Sequence, residues 1–512
     1  MMQQLQNSGS NGVSLGETFP RSRIFGAGED VRFTSCCADS RKCQPGDLFV
    51  ALLGKAQDGH DFVQEALARG ATAVLAERLL PVPAPICVVQ DTRDAFGQVC
   101  HALAGQPTSQ MQVIGVSGTH GKTSTSVLLS AILQAAQKSC GLLTSLGRFD
   151  GCQQLTASQT TPPQAELAHQ FSQMLANGCS HAVVELSSRG LAEHRLAGTS
   201  LSGAILTNLR RDHLDIHGSL ENYRRAKFRM FDFLHKTGFV VTNADDPASQ
   251  RQLPKIDQPV ITVGIHNEAE IKATVIERFP SEQTVMLSAG NDSIPLRTHI
   301  IGDQHIYNCL SAAAAGLIMG IDLPTIVRGL ESIEEIPGRM QRIECGQDFR
   351  VFVDTADTSE RLGNALRSLR RVTDGRLICV YGPDGRKPSE DRPLLGRAAE
   401  RVADLTIITN NNPQHEPALR VAHDVLDGYQ NPSTAHLCPD RQKAIQYALE
   451  EAQEGDTVLV AGKGTDTFQV IGGAVLPFDD PEVIRSWFKH SSSSPPLHKF
   501  AHRTIPIIDH LN

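Results

Sequence analysis

Aromatic side chains are scarce: Phe, Trp and Tyr make up 5% of the 512 residues, with a single Trp. That scarcity argues against the stacking platforms on which proteins hold single-stranded nucleic acid. Positive charge is also in short supply. Lys and Arg number 48 against 56 Asp and Glu, so the net charge is −8, without the basic footprint of a general nucleic-acid binder. Long apolar runs are missing too. The longest, around Ala312 to Ile321, falls well short of the roughly 18 residues of a bilayer span, so no membrane partner is expected. The twelve cysteines include no Cys-x-x-Cys pair, and no charged-then-apolar leader opens the chain. Reduced, mostly structural thiols in a cytoplasmic protein are the expectation.

What is present is ordinary for a soluble globular protein: 40% hydrophobic and 20% charged residues. At roughly 150 residues per domain the length asks for about three domains. Short β-rich runs alternate with helical stretches, the pattern of a mostly parallel α/β sheet. One series is Gln112–Val116, Ala182–Leu186, Gly203–Thr207 and Phe239–Thr242; a second is Val351–Val353, Leu377–Tyr381, Leu405–Thr409 and Thr457–Ala461. Breakers at Ala104–Thr108 and Ile336–Gly338 set the expected boundaries. These are a disordered tail over 1–20, domains over 21–108, 109–336 and 337–489, and a flexible tail over 490–512. Residues with chemical potential sit just after the strands, where ligands bind in open α/β sheets. Two such series imply two sheets with their active edges on a cleft.

The clearest motif is Ser117-Gly118-Thr119-His120-Gly121-Lys122-Thr123-Ser124, a glycine turn between a strand and a helix expected from Thr123 to about Gln137. Its backbone N–H groups suit phosphates at a helix N-terminus. Lys122 would reach the β/γ-phosphates and the Thr123 hydroxyl would bind Mg²⁺. The strict phosphate-loop pattern is broken because Val116 stands at its first glycine position. A plain strand–helix turn is the alternative, disfavoured because Gly-Lys-Thr after a strand asks for a phosphate. Glu185 closes another strand, and Asp212, His213, Asp215 and His217 follow a third. Oxygen and imidazole donors there suit Mg²⁺ on nucleotide phosphates, and equally suit a solvated polar loop.

Lys227 is out of place. The segment Gly218–Leu234 has helical spacing, Ser219 as N-cap and an apolar stripe through Leu220, Tyr223, Met230/Phe231 and Leu234. Lys227 falls on that stripe. Two readings stand: an amine snorkelling from the stripe's edge, or a buried, chemically altered lysine. Carbamylation would turn the cation into an anion able to stand near Mg²⁺.

Together these residues resemble the Mur ligase family, and within it the MurE-type branch of UDP-N-acetylmuramoyl-tripeptide synthetases, over about residues 30–488. Thr119–Thr123 is similar to that family's own phosphate loop. Asp39-Ser40-Arg41, Pro45–Ala51 and Asp58–His60 resemble its uridine-nucleotide-binding first domain. Thr160-Thr161-Pro162, Ser187 and Arg195 resemble the holders of the muramoyl-dipeptide, and Glu193 stands within that site where a Gln is common, a mild change. Asn208, Asp212-His213 and Tyr223–Lys227 match the run ending in the carbamylated lysine. Pro337–Met340 and Ala461–Gly464 fit as well.

The resemblance implies a three-domain α/β architecture: a central phosphate-loop domain with a parallel sheet, flanked by a small N-terminal α/β domain and a Rossmann-like C-terminal domain. It implies ATP-dependent addition of a third amino acid to UDP-N-acetylmuramoyl-L-Ala-D-Glu through an acyl phosphate, by a protein expected to be a monomer. Lys122, Glu185, His213 and Lys227 would be catalytic. Thr123, Glu185, His213 and carbamylated Lys227 would hold Mg²⁺. Asn308, Arg339 and Asp354 would join the loop in binding ATP. Asn411, Asn412, Pro413, Gln414, Gly462 and Asp466 would receive the amino acid.

Departures from the family cluster in the third domain. Asp-Tyr-Ala-His-x-Pro-Asp becomes Asp354-Thr-Ala-Asp-Thr-Ser-Glu360, so Asp357 adds negative charge near phosphates. Gly382–Pro388 replaces a glycine-rich segment. Gln414 stands where members that add diaminopimelate have Arg, removing a bidentate carboxylate clamp. Asp466 shortens a Glu. Two functions follow: an active ligase with an altered amino-acid pocket, or a catalytically weakened paralogue that binds UDP-muramoyl-peptide and ATP as a sensor or partner.

Overall fold

The computed structural model describes residues 12–26, 30–54, 57–157 and 159–491. The chain divides into two units, residues 1–336 and 337–512. The first holds two sheets. Its N-terminal sheet comprises β1 (Arg23–Phe25), β2 (Ser35–Cys37), β3 (Asp47–Val50), β4 (Ala73–Ala76) and β5 (Ile86–Val88), in the order β1-β5-β4-β3-β2, parallel except at β1. Helix α1 (Val63–Ala68) and helix α2 (Thr92–Leu103) belong to it. Asp91 caps α2 by accepting from Arg93 N and Asp94 N, as an N-cap carboxylate should.

The central sheet is built from β6 (Gln112–Ser117), β7 (Cys140–Thr144), β8 (Gly147–Phe149), β9 (Gln154–Leu155), β10 (His181–Glu185), β11 (Leu201–Leu206), β12 (Leu234–Asn243), β13 (Val260–Gly264), β14 (Ile271–Arg278), β15 (Gln283–Ala289) and β16 (Asp292–Thr298). Their order is β9-β8-β7-β10-β6-β11-β12-β13-β14-β15-β16. The run from β7 to β14 is parallel and the pairs beyond it are antiparallel. The middle strands are buried on both faces, which is why they read as unbroken apolar runs. Around them lie α3 (Lys122–Ala135), α4 (Gln164–Ala176), α5 (Ser188–Ala192), α6 (Leu220–Phe228), α7 (Asp303–Ile318) and α8 (Leu323–Glu331).

The first two sheets are welded together. Ala168 of α4 joins the apolar cluster of Leu48, Val50 and Val99, and a Cβ at Gly97 of α2 would run into Ala197. The sequence break near residue 108 therefore separates sheets but not compact units. Two expectations are corrected. Val13–Ser14 pairs antiparallel with Arg32–Phe33, and Ser14 caps the turn Leu15–Thr18 with Leu15 fully buried. Burying Leu15 is worth about 2 kcal/mol, so residues 12–20 are not a tail; residues 1–11 and 492–512 lie outside the described residues. The helix expected over Gly218–Leu234 stops at Phe228, tightens into a 3₁₀ turn over Arg229–Phe233, and gives way to β12.

Three histidines of this unit are buried neutral. Burial pushes His101, His181 and His305 each down to about 4, against about 6.5 in an unfolded chain. The folded state resists their protonation, so their contribution is whole above about pH 6.5 and is lost as pH falls towards 4. A melting scan should show destabilisation across that window, on the order of 1–3 kcal/mol per histidine. His305→Gln should remove one share of the slope.

The second unit carries β17 (Gln341–Arg342), β18 (Arg350–Asp354), β19 (Leu377–Tyr381), β20 (Leu405–Ile408), β21 (Ala435–Leu437) and β22 (Thr457–Ala461), in the order β17-β18-β22-β19-β20-β21. All pair parallel except β17. Helices α9 (Ser359–Arg370), α10 (Arg392–Glu400), α11 (Ala418–Leu426) and α12 (Arg441–Glu451) alternate with the strands. A hairpin of β23 (Phe468–Ile471) and β24 (Ala474–Pro477) follows, then α13 (Asp480–Ser491). Helix α13 runs through His490 and Ser491, beyond the expected domain end at 489.

Candidate active site

The loop after β6 is preformed by residues that follow β11. Thr119 N donates to Asn208 O at 3.0 Å and His120 N to Asn208 Oδ1 at 3.0 Å, while the Thr207 hydroxyl donates to His120 O at 2.6 Å. Gly118 and Gly121 have φ of +148° and +82°. A Cβ on Gly118 would run into Thr207 Oγ1, and one on Gly121 into Asn308 Oδ1. Asn308 thus backs the loop from α7 and also accepts from Thr125 Oγ1 at 3.3 Å. Helix α3 starts at Lys122, whose Nζ donates to Thr119 O at 3.2 Å. A Gly121→Ala variant combines a left-handed backbone with a collision. It should weaken ADP binding about tenfold or more, on a loss of roughly 1–3 kcal/mol, as calorimetric titration would show.

Beside this loop lies a set of hard oxygen donors. Glu185, 3% exposed, ends β10. Its Oε2 accepts from the Thr123 hydroxyl at 3.0 Å and from Ser145 N at 3.0 Å, and Ser145 Oγ lies 3.1 Å from Thr123 Oγ1. Carboxylate and hydroxyl oxygens grouped at a phosphate loop are the donor class Mg²⁺ selects, so these residues fit the metal. Ser145 was not singled out from the sequence. It follows β7, and the rule that chemistry gathers after strand ends would have found it.

Lys227 is 1% exposed, which removes the snorkelling alternative. Its Nζ donates to Gly118 O at 2.6 Å and lies 4.9 Å from the centre of the Tyr223 ring. Tyr223, fully buried, donates its hydroxyl to Thr119 Oγ1 at 2.9 Å. Ser219 caps α6 as expected, accepting from Asn222 N. His213 sits at φ +52° ahead of the turn Leu214–His217, its ring 6.4 Å from that of Tyr223 and its Nε2 3.6 Å from Asp212 Oδ2. A non-glycine residue held there stores strain of the kind found at functional sites. Tyr223 thus joins the loop, stands under the Lys227 amine and neighbours the His213 ring.

The residues matched to the dipeptide also gather, next to Glu185. The Thr161 hydroxyl donates to Glu185 O at 3.0 Å and accepts from Ser187 N at 2.9 Å. Arg195 donates to Thr161 O at 2.6 Å and pairs with Glu193 at 2.5 Å. Partial burial would raise the Glu193 carboxyl, but Arg189 and Arg195 hold it below the usual range. Thr160 lines a small surface pocket with Arg148, Gln159 and Glu166. Ser40 stands apart in the N-terminal sheet, buried and donating to Glu65 Oε2 at 2.8 Å.

In the second unit three segments converge. Thr355 N donates to Gly338 O at 3.1 Å, Gly462 N to Asp354 O at 2.9 Å, and Arg339 donates to Thr355 Oγ1 at 2.5 Å. Asp354 accepts from Met340 N at 2.8 Å, and burial pushes its carboxyl up. Asn412, buried, accepts from Val470 N at 3.0 Å and donates to Asp384 at 3.3 Å, so it braces the loop between strands. Asn411 is buried beside Gly462, Pro413 is buried too, and Gln414 follows at φ +59°. Lys463, 1% exposed, donates to Phe468 O. Burial lowers its ammonium and raises the Asp466 carboxyl.

The residues that replace family motifs have found partners among themselves. Asp357 pairs with Arg361 at 3.1 Å and with Lys387 at 3.6 Å, and Asp384 with Arg386 at 2.6 Å. Its negative charge is therefore balanced within the same unit. In the sequence nothing in 354–360 announces 382–388, and the Asp357–Lys387 pair joins them only in the fold.

Three family descriptions match successive stretches of the chain. The Mur ligase family catalytic-domain description matches residues 32–101, the Mur ligase middle domain 116–316, and the Mur ligase glutamate ligase domain 338–464. The UDP-N-acetylmuramoyl-L-alanyl-D-glutamate–2,6-diaminopimelate ligase of Geobacillus thermodenitrificans (strain NG80-2) is 38% identical over 458 residues, 88% of this chain and 94% of that one. The protein of the same description from Bacillus cereus (strain ATCC 14579) is 33% identical, covering 89% and 94%. A solved structure of such a ligase superposes with a TM-score of 0.69 at 29% identity, over 94% of this chain and 99% of its own. A MurF structure from Acinetobacter baumannii shares the fold, with a TM-score of 0.61 at 19% identity over 93% and 98%.

Proposed function

The chain belongs to the Mur ligase family, and we propose that it is an ATP-dependent ligase adding the third amino acid to UDP-N-acetylmuramoyl-L-Ala-D-Glu. The observation that carries this is the joining of loop, carboxylate and lysine: Thr123 on Glu185, and Lys227 on Gly118. The substrate's terminal carboxylate attacks the γ-phosphorus of ATP, forming an acyl phosphate and releasing ADP. The amino acid's amine then attacks the acyl carbon, phosphate leaves, and the amine's proton is lost. Such chemistry asks the protein for positioning and charge neutralisation rather than a nucleophile.

This chain's residues divide that work. The backbone from Gly118 to Lys122 and the Lys122 ammonium hold the phosphates. Thr123, Glu185, His213 and Lys227, the last as its carbamate, would hold Mg²⁺, which would supply charge neutralisation for the transferring phosphoryl group. Thr160, Thr161, Ser187, Glu193 and Arg195 orient the dipeptide, and Ser40 belongs to the uridine-nucleotide end. In the second unit Arg339 and Asp354 serve ATP, while Asn411, Gly462, Gln414 and Asp466 face the amino acid, with Asn412 and Pro413 bracing them. The relatives' name points to 2,6-diaminopimelate; Gln414 in place of a clamping Arg points to a looser grip on its distal carboxylate. A weakened paralogue remains the second reading, motivated by the replaced 354–360 and 382–388 motifs.

The test is ADP release with substrates supplied singly and together. Release is expected only when UDP-N-acetylmuramoyl-L-Ala-D-Glu and one amino acid are both present. Tight ADP binding without turnover on any amino acid would favour the paralogue.

A further inference from the structure

The N-terminal sheet places four cysteines in two facing pairs. Successive side chains of a strand point to opposite faces, so Cys36 and Cys37 of β2 look away from each other. Cys36 packs with Cys100, Leu48 and Val50 under α2, and Cys37 packs on the other side with Cys43, Phe49 and Val63. In each pair a partly exposed thiol neighbours a more buried one: Cys36 beside Cys100, and Cys37 beside Cys43. The more buried partners differ: Cys100 is fully buried within α2, whereas Cys43 is 7% exposed at the end of the 3₁₀ turn Ser40–Lys42.

The second pair brackets a functional turn. Cys37 and Cys43 lie on either side of Asp39-Ser40-Arg41, where Asp39 caps the 3₁₀ turn Ser40–Lys42. The two sulfurs and a carboxylate oxygen of Asp47 all lie within 4.8 Å of one another. Asp47 is fully buried and already accepts from Ser35 Oγ on one oxygen and Gln44 N on the other, the latter at 2.8 Å. That leaves the two sulfurs, short of the four ligands a thiophilic cation such as Zn²⁺ takes. Two adjacent thiols, one reachable from solvent, suit oxidation better.

We propose that Cys37 and Cys43 are a dithiol that a hydroperoxide closes into a disulfide across the Asp39–Arg41 turn. The Cys37 thiolate attacks one peroxide oxygen, the O–O bond breaks, and hydroxide leaves, giving a sulfenic acid. The Cys43 sulfur then displaces the sulfenic oxygen as water. In sum two thiols lose two electrons and two protons, and hydrogen peroxide becomes two waters. The S–H of Cys43 holds the Cys37 thiol below its usual value, which favours it as the attacking partner. Oxidation also removes the Cys37 S–H that contacts Asp39 O at 3.0 Å, loosening the turn that carries Ser40. The consequence for ligand binding rests on the reading of Ser40 as part of the uridine-nucleotide site.

The experiment treats the full chain with hydrogen peroxide, maps its tryptic peptides by mass, and titrates UMP before and after. The expected result is the Phe33–Arg41 peptide joined to the peptide beginning at Cys43, with two hydrogens lost, reversed by dithiothreitol and absent in Cys43→Ser. UMP should bind about fivefold more weakly after oxidation, the loss of roughly one hydrogen bond. No cross-link, a cross-link to Cys100 instead, or one equivalent of Zn²⁺ held by the pair and blocking oxidation would each overturn the proposal. A reversible cross-link in a protein that never binds UMP would uphold the dithiol and strike the reading of Ser40 alone.

Discussion

Lys227→Ala should lower ligation by about a thousandfold or more, in keeping with the effect of removing a preorganised charge from a reacting phosphoryl site. The position allows no neutral role. Lys227 is 1% exposed on a helix whose other buried side chains are Tyr223 and Ala226. An ammonium taken that far out of water is costly unless it is hydrogen-bonded or converted. Here its Nζ meets Gly118 O at the head of the phosphate loop and stands over Tyr223. On the proposed reading, addition of CO₂ to the amine, with loss of a proton, would replace the cation by a carboxylate beside Gly118. If that account is right, small carboxylic acids such as acetate partly restore the variant. A melting curve and an ADP titration accompany the assay, because loss of the Gly118 contact alone would weaken nucleotide binding without any rescue. Undiminished ligation would remove the lysine from the mechanism.

Arg441→Ala should cost about 3–5 kcal/mol of stability in the second unit, the penalty of leaving one buried charge unpaired. Arg441 and Asp480 are both fully buried, joined through two hydrogen bonds of 2.7 Å each, and Arg441 also donates to Ala461 O at 3.0 Å. The pair therefore ties the start of α12 and the start of α13 to the end of β22, one residue before Gly462. Asp480→Ala should do comparable damage. Replacing both by well-packed apolar residues should recover much of the loss, since a buried pair is worth little against a hydrophobic isostere. Denaturant melts of the single and double variants decide the matter. Equal, small losses in all three would show that the pair does not hold this edge of the sheet.

Both cases show where sequence reasoning reaches and where it stops. The burial of Lys227 was legible because helix periodicity places a residue on a face without knowing what covers that face. The strand ends bearing Gly118, Glu185 and Asn208 were legible for a similar reason: strands covered on both sides read as apolar runs, and polar residues after them stand out. Arg441–Asp480 and Asp357–Lys387 were not, since pairing across about thirty residues or more depends on where the chain returns. Ser145 hid because a lone serine after a strand has no motif around it. The segment Arg229–Phe233 kept a helical apolar spacing, yet the chain had to leave the helix there to enter β12. The short ordering of residues 12–20 rests on a single strand pairing and one buried leucine, too little for composition to reveal.

Joining of a third amino acid to the muramoyl-dipeptide at the expense of ATP is read out by the mass of the product. The protein is incubated with ATP, Mg²⁺, UDP-N-acetylmuramoyl-L-Ala-D-Glu and each of a panel of amino acids that includes meso-diaminopimelate and L-lysine. For at least one of them the expected product is heavier by that amino acid less one water, with equal ADP and phosphate. An unchanged dipeptide in every reaction, from protein that still binds ADP, would contradict it.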